Sequence, residues 1–248
     1  MATRDVQASR HPAARKPGWV GSALGMVGQL VLWLLVALLF SILAEWVGQT
    51  WVWPERGVEH SRMMLEREAA YINQDFHRSA IPGVGEPAAY VQQFADVAYE
   101  GLIKATGVEW LLDWLARPPD PEGGRFQRAL RSGYAAAEPY VLSAITITQV
   151  FALRLGVLTL AMPVFVLFAL VAVVDGLVQR ELRRWGGGRE SSFVYHHAKR
   201  LMAPSIAMAW VVYLAMPVPV HPNWVILPFA VLNAVTVAIT ASRFKKYL

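Results

Sequence analysis

The stretch from Leu155 to Arg200 limits what this chain can fold into more than any other. Its first part, LGVLTLAMPVFVLFALVAVV, is an uncharged run of twenty residues bracketed by Arg154 and Asp175. A helix rises about 1.5 Å per residue, so the run covers about 30 Å, the thickness of a bilayer's hydrocarbon core. Its second part, residues 176–200, is strongly basic and leads directly into another apolar run. One segment thus predicts a membrane span, its direction, and the most distinctive local sequence in the protein.

Composition agrees. Hydrophobic residues make up 55% of the chain and charged residues only 17%, against about 25% in a soluble domain. A formal net charge of +5 would suit a nucleic-acid binder. Here the basic excess sits beside the apolar runs, where membrane topology accounts for it, and direct contact with nucleic acid is not expected. With no cysteine, disulfides, thiolate nucleophiles and Cys-ligated metal sites are excluded.

The predicted fold class is all-α, a polytopic membrane protein with four transmembrane helices and a helical extracytoplasmic domain between spans 1 and 2. Residues 1–18 form a cytoplasmic tail with Arg4, Arg10, Arg15 and Lys16, and residues 19–46 form the first span. That uncharged run is longer than the 7–15-residue core of a cleaved signal, so it is expected to be retained. Trp46, Trp51 and Trp53 follow, as an aromatic belt at the headgroup layer would.

Residues 47–140 are the extracytoplasmic helical domain, acidic overall, with nine Lys/Arg against thirteen Asp/Glu from Gly48 to Tyr140. Leu65, Ala69, Ile72 and Phe76 mark one amphipathic stripe, with Arg62 and Glu66 on its wet side. Val91, Phe94, Ala98 and Leu102 mark a second, and VEWLLDWLA (108–116) a third. IPGVGEP (81–87) and PPDPEGG (118–124) break the pattern, because Pro lacks an amide donor and Gly turns freely. A helix from about Arg125, bent near Pro139, leads into the second span, and 141–175 holds this lead-in and the span itself. Arg154 and Asp175 are expected to reach water from its ends. Residues 176–200 are a basic loop, 201–220 the third span with Pro217 and Pro219 unwinding its end, 221–224 (HPNW) a turn, 225–241 the fourth span, and 242–248 a tail.

Four Lys/Arg in the first tail, six in the loop and three in the last tail all fall on one side only with four crossings. The positive-inside rule then places both termini in the cytoplasm.

Two sets of residues are candidates for interaction. Gly21 and Gly25, with Gln29 a turn further, can let another helix approach closely, either a span of this chain or one from a second subunit in a homo-oligomer. The loop contributes Arg183, Arg184, Trp185, Gly186, Gly187, Gly188, Arg189, Glu190, Ser191, Ser192, Tyr195, His196, His197, Lys199 and Arg200. The helix leaving span 2 should stop at Gly186–Gly188, with Ser191 or Ser192 capping the next. Adjacent His196 and His197 point about 100° apart on a helix and make a poor chelating pair. The glycines lack the phosphate-loop spacing, and the arginines suit anionic lipid headgroups. H-E-x-x-H, G-x-S-x-G and Walker patterns are absent. No catalytic residue, metal or cofactor is therefore expected, and Asn233 in span 4 reads as helix glue.

VDGLVQRELRRWGGGRESSFVYHHAKR (174–200) resembles a family of membrane proteins of integrating conjugative elements, the portion from Arg183 to Arg200 being the most specific. The resemblance extends to the order of basic tail, span, polar helical middle and three further spans. It implies a non-enzymatic inner-membrane accessory or scaffold of a conjugative, type IV-like secretion apparatus in a Gram-negative bacterium. Membrane lipid and other transfer-machine proteins are the implied partners, the coupling ATPase among them. An immunity factor that excludes incoming donor cells is the alternative, and a small membrane enzyme or channel a more distant one.

The topology makes a direct prediction. A reporter active only in the cytoplasm, fused after Lys246, should be active; activity only of an extracytoplasmic reporter at that site would refute the assignment of sides.

Overall fold

The computed structural model describes residues 19–75, 86–105, 107–117, 125–186 and 192–244. The tail 1–18, Phe76, the breaker segments 81–85 and 118–124, and residues 187–191 lie outside them. The chain divides after Val36 into two compact units. The described part of the first is the opening of α1 (Trp19–Val47). It carries no charge, and Met26, Leu32 and Trp33 are all largely exposed, the character of a helix whose solvent is lipid.

The second unit is built along α5 (Arg125–Trp185), a single helix of 61 residues. The expected lead-in and second span are therefore one element. Pro139 and Pro163 each remove an amide donor, yet the helix is assigned continuously through both. It ends where glycine was expected to end it, Gly186 N donating to Leu182 O at 3.1 Å.

Four shorter helices and the end of α1 are laid along this spine. α2 (Val58–Asp75) runs in the same direction as α5: Met64 packs with Ile147 and Val150, and Glu68 meets Arg154 further on. α3 (Pro87–Tyr99) returns against it. Val91 lies over Gly156, where a Cβ would come within 3.1 Å of the Val91 Cα. α4 (Val108–Ala116), entered through Gly107 at φ 75°, continues outward until Trp114 stacks with Arg131 of α5. The Tyr99 hydroxyl donates to Glu109 at 3.3 Å, and burial, with Glu109 beside it, raises this phenol above its ordinary value of 10.0.

α6 (Ser192–Ala215) and α7 (Pro222–Ser242) form an antiparallel hairpin. Pro217 and Pro219 end α6, as expected, and His221 caps α7 by accepting from Asn223 N at 3.3 Å. Asn233 of α7 donates to Met202 O at 3.0 Å and Ser205 Oγ at 2.9 Å of α6, the cross-helix role read from the sequence. α7 also lies along α5, and Gly176 permits the approach, since a Cβ there would meet Ala238 O at 2.6 Å.

Among the described residues, three helices are long and apolar enough to cross a membrane: Gly25–Val52, Ala129–Trp185 and Pro222–Ser242. α6 falls short of that measure. It carries Lys199 and Arg200, and only Leu201–Ala215 is uncharged.

What joins these helices is an ionic cluster. Arg154 was expected to reach water; instead it and Glu68 are each about 1% exposed and 2.7 Å apart. The end of α6 leaves carbonyls with no helical donor, and Arg154 serves them, giving hydrogen bonds to Met216 O at 2.6 Å and Val218 O at 2.9 Å. Its Nε and Nη2 also donate to Glu68 Oε1. Glu68 Oε2 accepts from the Tyr213 hydroxyl at 3.1 Å, and Oε1 from Val220 N at 3.4 Å. α2, α5, α6 and the 216–220 turn thus share one buried, hydrogen-bonded cluster.

Two outcomes follow from this packing. Arg154→Leu leaves Glu68 buried without its counter-charge, and breaking a buried pair costs about 3–5 kcal/mol; unfolding in detergent should show it, with much of the loss restored in Arg154→Leu/Glu68→Leu. Gly176→Ala must push α7 away from α5 against backbone rather than a yielding side chain, costing about 1–3 kcal/mol in the same assay.

Candidate functional site

The basic segment singled out in the sequence is brought against the C-terminal end of α7. Arg183 Nη1 donates to Ser242 O at 3.1 Å, serving one of the carbonyls a helix end leaves open. This bond ties the far ends of α5 and α7 together. Arg184 pairs with Glu181 at 2.9 Å, both side chains well exposed, so the pair contributes little to stability. Trp185 is 89% exposed, and Leu182 and Phe193 are exposed beside the same basic stretch.

On the first turns of α6 the aromatic and basic side chains interleave. Phe193 and His197 have ring centroids 4.0 Å apart, and Tyr195 touches both His196 and Phe244 of the chain's end. Lys199 Nζ lies 5.8 Å from the Tyr195 ring centre, a cation–π contact of the exposed kind. His197 Nδ1 is 2.9 Å from Phe193 O, so this ring is engaged within its own helix while His196 is exposed. Among the described residues no group of three or more His, Asp or Glu side chains is gathered as a metal would need. The surface is suited to binding by charge and stacking.

Of the predicted loop residues, Arg183, Arg184, Trp185 and Gly186 thus close α5, and Ser192, Tyr195, His196, His197, Lys199 and Arg200 open α6. Gly187, Gly188, Arg189, Glu190 and Ser191 lie outside the described residues. Gly21, Gly25 and Gln29 all fall on α1. Among the described residues, nothing outside its own stretch of helix lies within 4 Å of where a Cβ would stand at Gly25, and Gln29 is exposed.

A second polar constellation was not foreseen. Glu45 of α1 and His60 of α2 are both buried, with His60 Nδ1 3.1 Å from Glu45 Oε2. Trp53 stacks on the imidazole at 4.1 Å. It folds back over a wide π-type turn, Gly48–Val52, closed by Trp53 N donating to Gly48 O at 2.8 Å. The indole fills the space a Cβ would need at Gly48, which is why glycine stands there. Of the three tryptophans read as a headgroup belt, Trp51 is the exposed one; Trp46 donates to Tyr140 O at 2.8 Å. The missed signal was the spacing His60, Met64, Glu68, Ile72, which shares Ile72 with the apolar stripe and otherwise runs one residue ahead of it. Polar members made it look like a wet face, yet all four are buried.

A model of a protein family described as IncC plasmid conjugative DNA transfer protein DtrJ-like matches residues 52–245. That span holds α2 to α7 and both polar constellations except Glu45 and the Gly48 turn. No curated protein matches, and no solved structure does. The expected link to conjugative transfer is met at this level, the family being one of plasmids rather than of integrating elements. With well over half of its length matched, the chain belongs to the DtrJ-like family of conjugative DNA transfer proteins of IncC plasmids.

Proposed function

We propose that this protein is a non-enzymatic scaffold of a conjugative transfer apparatus, held in the inner membrane by four crossings with both termini in the cytoplasm. The observation that carries the reading is the basic, aromatic end of α5 and α6, which lies inside the family match and is braced by Arg183 on α7. Side chains carried on the ends of packed helices are held in a defined arrangement, which favours recognition.

The fourth crossing is supported by pairing. α6 lies antiparallel to α7 with Asn233 bonded to its Met202 and Ser205; if α7 crosses, a helix fastened along it crosses back. The three basic segments then share the cytoplasmic side, and α2 to α4 face the periplasm with the outer part of α5. In this arrangement residues 176–200 dock a cytoplasmic component of the machine, the coupling ATPase being the first partner to examine, while anionic headgroups surround the remaining arginines. The resemblance to integrating-element proteins and the plasmid family point to the same kind of apparatus on different mobile elements.

Replacing Arg189, His196 and His197 together with Ala should lower DNA transfer from donor cells by at least about tenfold, the loss of roughly 1.4 kcal/mol of docking energy, with the protein level in membranes unchanged. Transfer at the parental frequency would refute the docking role.

A further inference from the structure

The helices of the second unit set a limit on how thick the surrounding lipid can be. Glu68 stands opposite Arg154 and α2 runs with α5, so Asp75, about two turns on, is level with Ala161. Val91 stands opposite Gly156 and α3 runs against α5, so Pro87, about one turn back, is level with Leu160. The two facing ends of α2 and α3 therefore reach well into the uncharged run that begins at Leu155. Their outward side chains there include Asn73 and Gln74 of α2, both exposed. Amides facing hydrocarbon without partners cost several kcal/mol each, so water, not lipid chains, must meet them.

α5 tells the same story on its own surface. From Val157 to Phe165 no side chain is exposed; from Val166 to Val174 Val166, Leu167, Leu170, Val171 and Val174 are. The run then ends at exposed Asp175, bonded to exposed Gln179. From the level of Ala161 to Asp175 is about 21 Å along the helix. α6 is independent of this measure and agrees with it. Its uncharged part, Leu201 to Ala215, lies between Arg200 and the carbonyls held by Arg154, and it too is about 22 Å long.

We propose that the α5–α6–α7 bundle sits in a bilayer thinned locally to a hydrocarbon core of about 22 Å, against about 30 Å for an ordinary one. The surface that fits such lipid is the short apolar belt of Val166–Val174 and the facing part of α6. This inference rests on the reading of α6 and α7 as crossing helices and extends it to the kind of lipid they fit.

The test is to reconstitute the full-length protein in phosphatidylcholine vesicles whose monounsaturated chains run from about 14 to about 22 carbons, and to measure the thermal unfolding midpoint in each. The midpoint should be highest in the shortest chains and fall steadily as they lengthen; a maximum at 18 to 20 carbons (roughly the ordinary thickness) overturns the proposal. Asp175→Leu/Gln179→Leu lengthens the belt and should move the optimum to longer chains, and an unmoved optimum counts equally against it. Because the chain has no cysteine, Gln74→Cys reports on sides separately. Labelling of Gln74→Cys by an impermeant maleimide from outside intact spheroplasts is expected. Labelling only in inverted vesicles would overturn the four-crossing topology while leaving the thickness optimum as a separate result.

Discussion

The guanidinium of Arg154 is the point on which the second unit turns. A charge removed from water inside or beside a membrane has to be neutralised and hydrogen-bonded, or its desolvation exceeds anything nearby packing returns. Here Glu68 supplies the opposite charge and the end of α6 supplies carbonyls that lack helical donors. Each side solves the other's deficiency. Pro217 and Pro219 make the turn possible by ending α6, and the guanidinium of Arg154 bonds the oxygens of Met216 and Val218 there.

Around that point the architecture is a long spine with shorter helices laid along it. α5 spans both the apolar run and the polar helices beyond it, so the Trp114–Arg131 contact and the Arg183–Ser242 contact lie on one continuous element. Glycine sets the closeness of the neighbours: Gly156 beneath α3 and Gly176 beneath α7. The chain belongs to a conjugative DNA transfer family, and within it one continuous helix joins the polar helices to the basic segment.

Much of the local structure could be read from residues alone. α4 spans Val108–Ala116 as its apolar pattern implied, α5 stops at the glycines, α6 stops before Pro217, and Asn233 bridges two helices. These features depend on hydrogen-bond supply and backbone freedom within a few residues, which is information a linear string contains. The Trp46–Trp53 region was misread for the opposite reason. An indole prefers an interface in general, but Trp53 is drawn inward by a glycine five residues before it and an imidazole seven residues after it.

By itself the sequence determined that this is a helical protein with runs able to cross lipid, where its helices end, and where its basic charge gathers. Periodicity, turn chemistry and the cost of burying charge act along the chain, so they need no knowledge of neighbours. Only the tertiary structure decided that His60, Glu68 and Arg154 are interior. Whether a polar side chain lies in water or in a core depends on partners far off in sequence, and Glu68 meets its arginine 86 residues away.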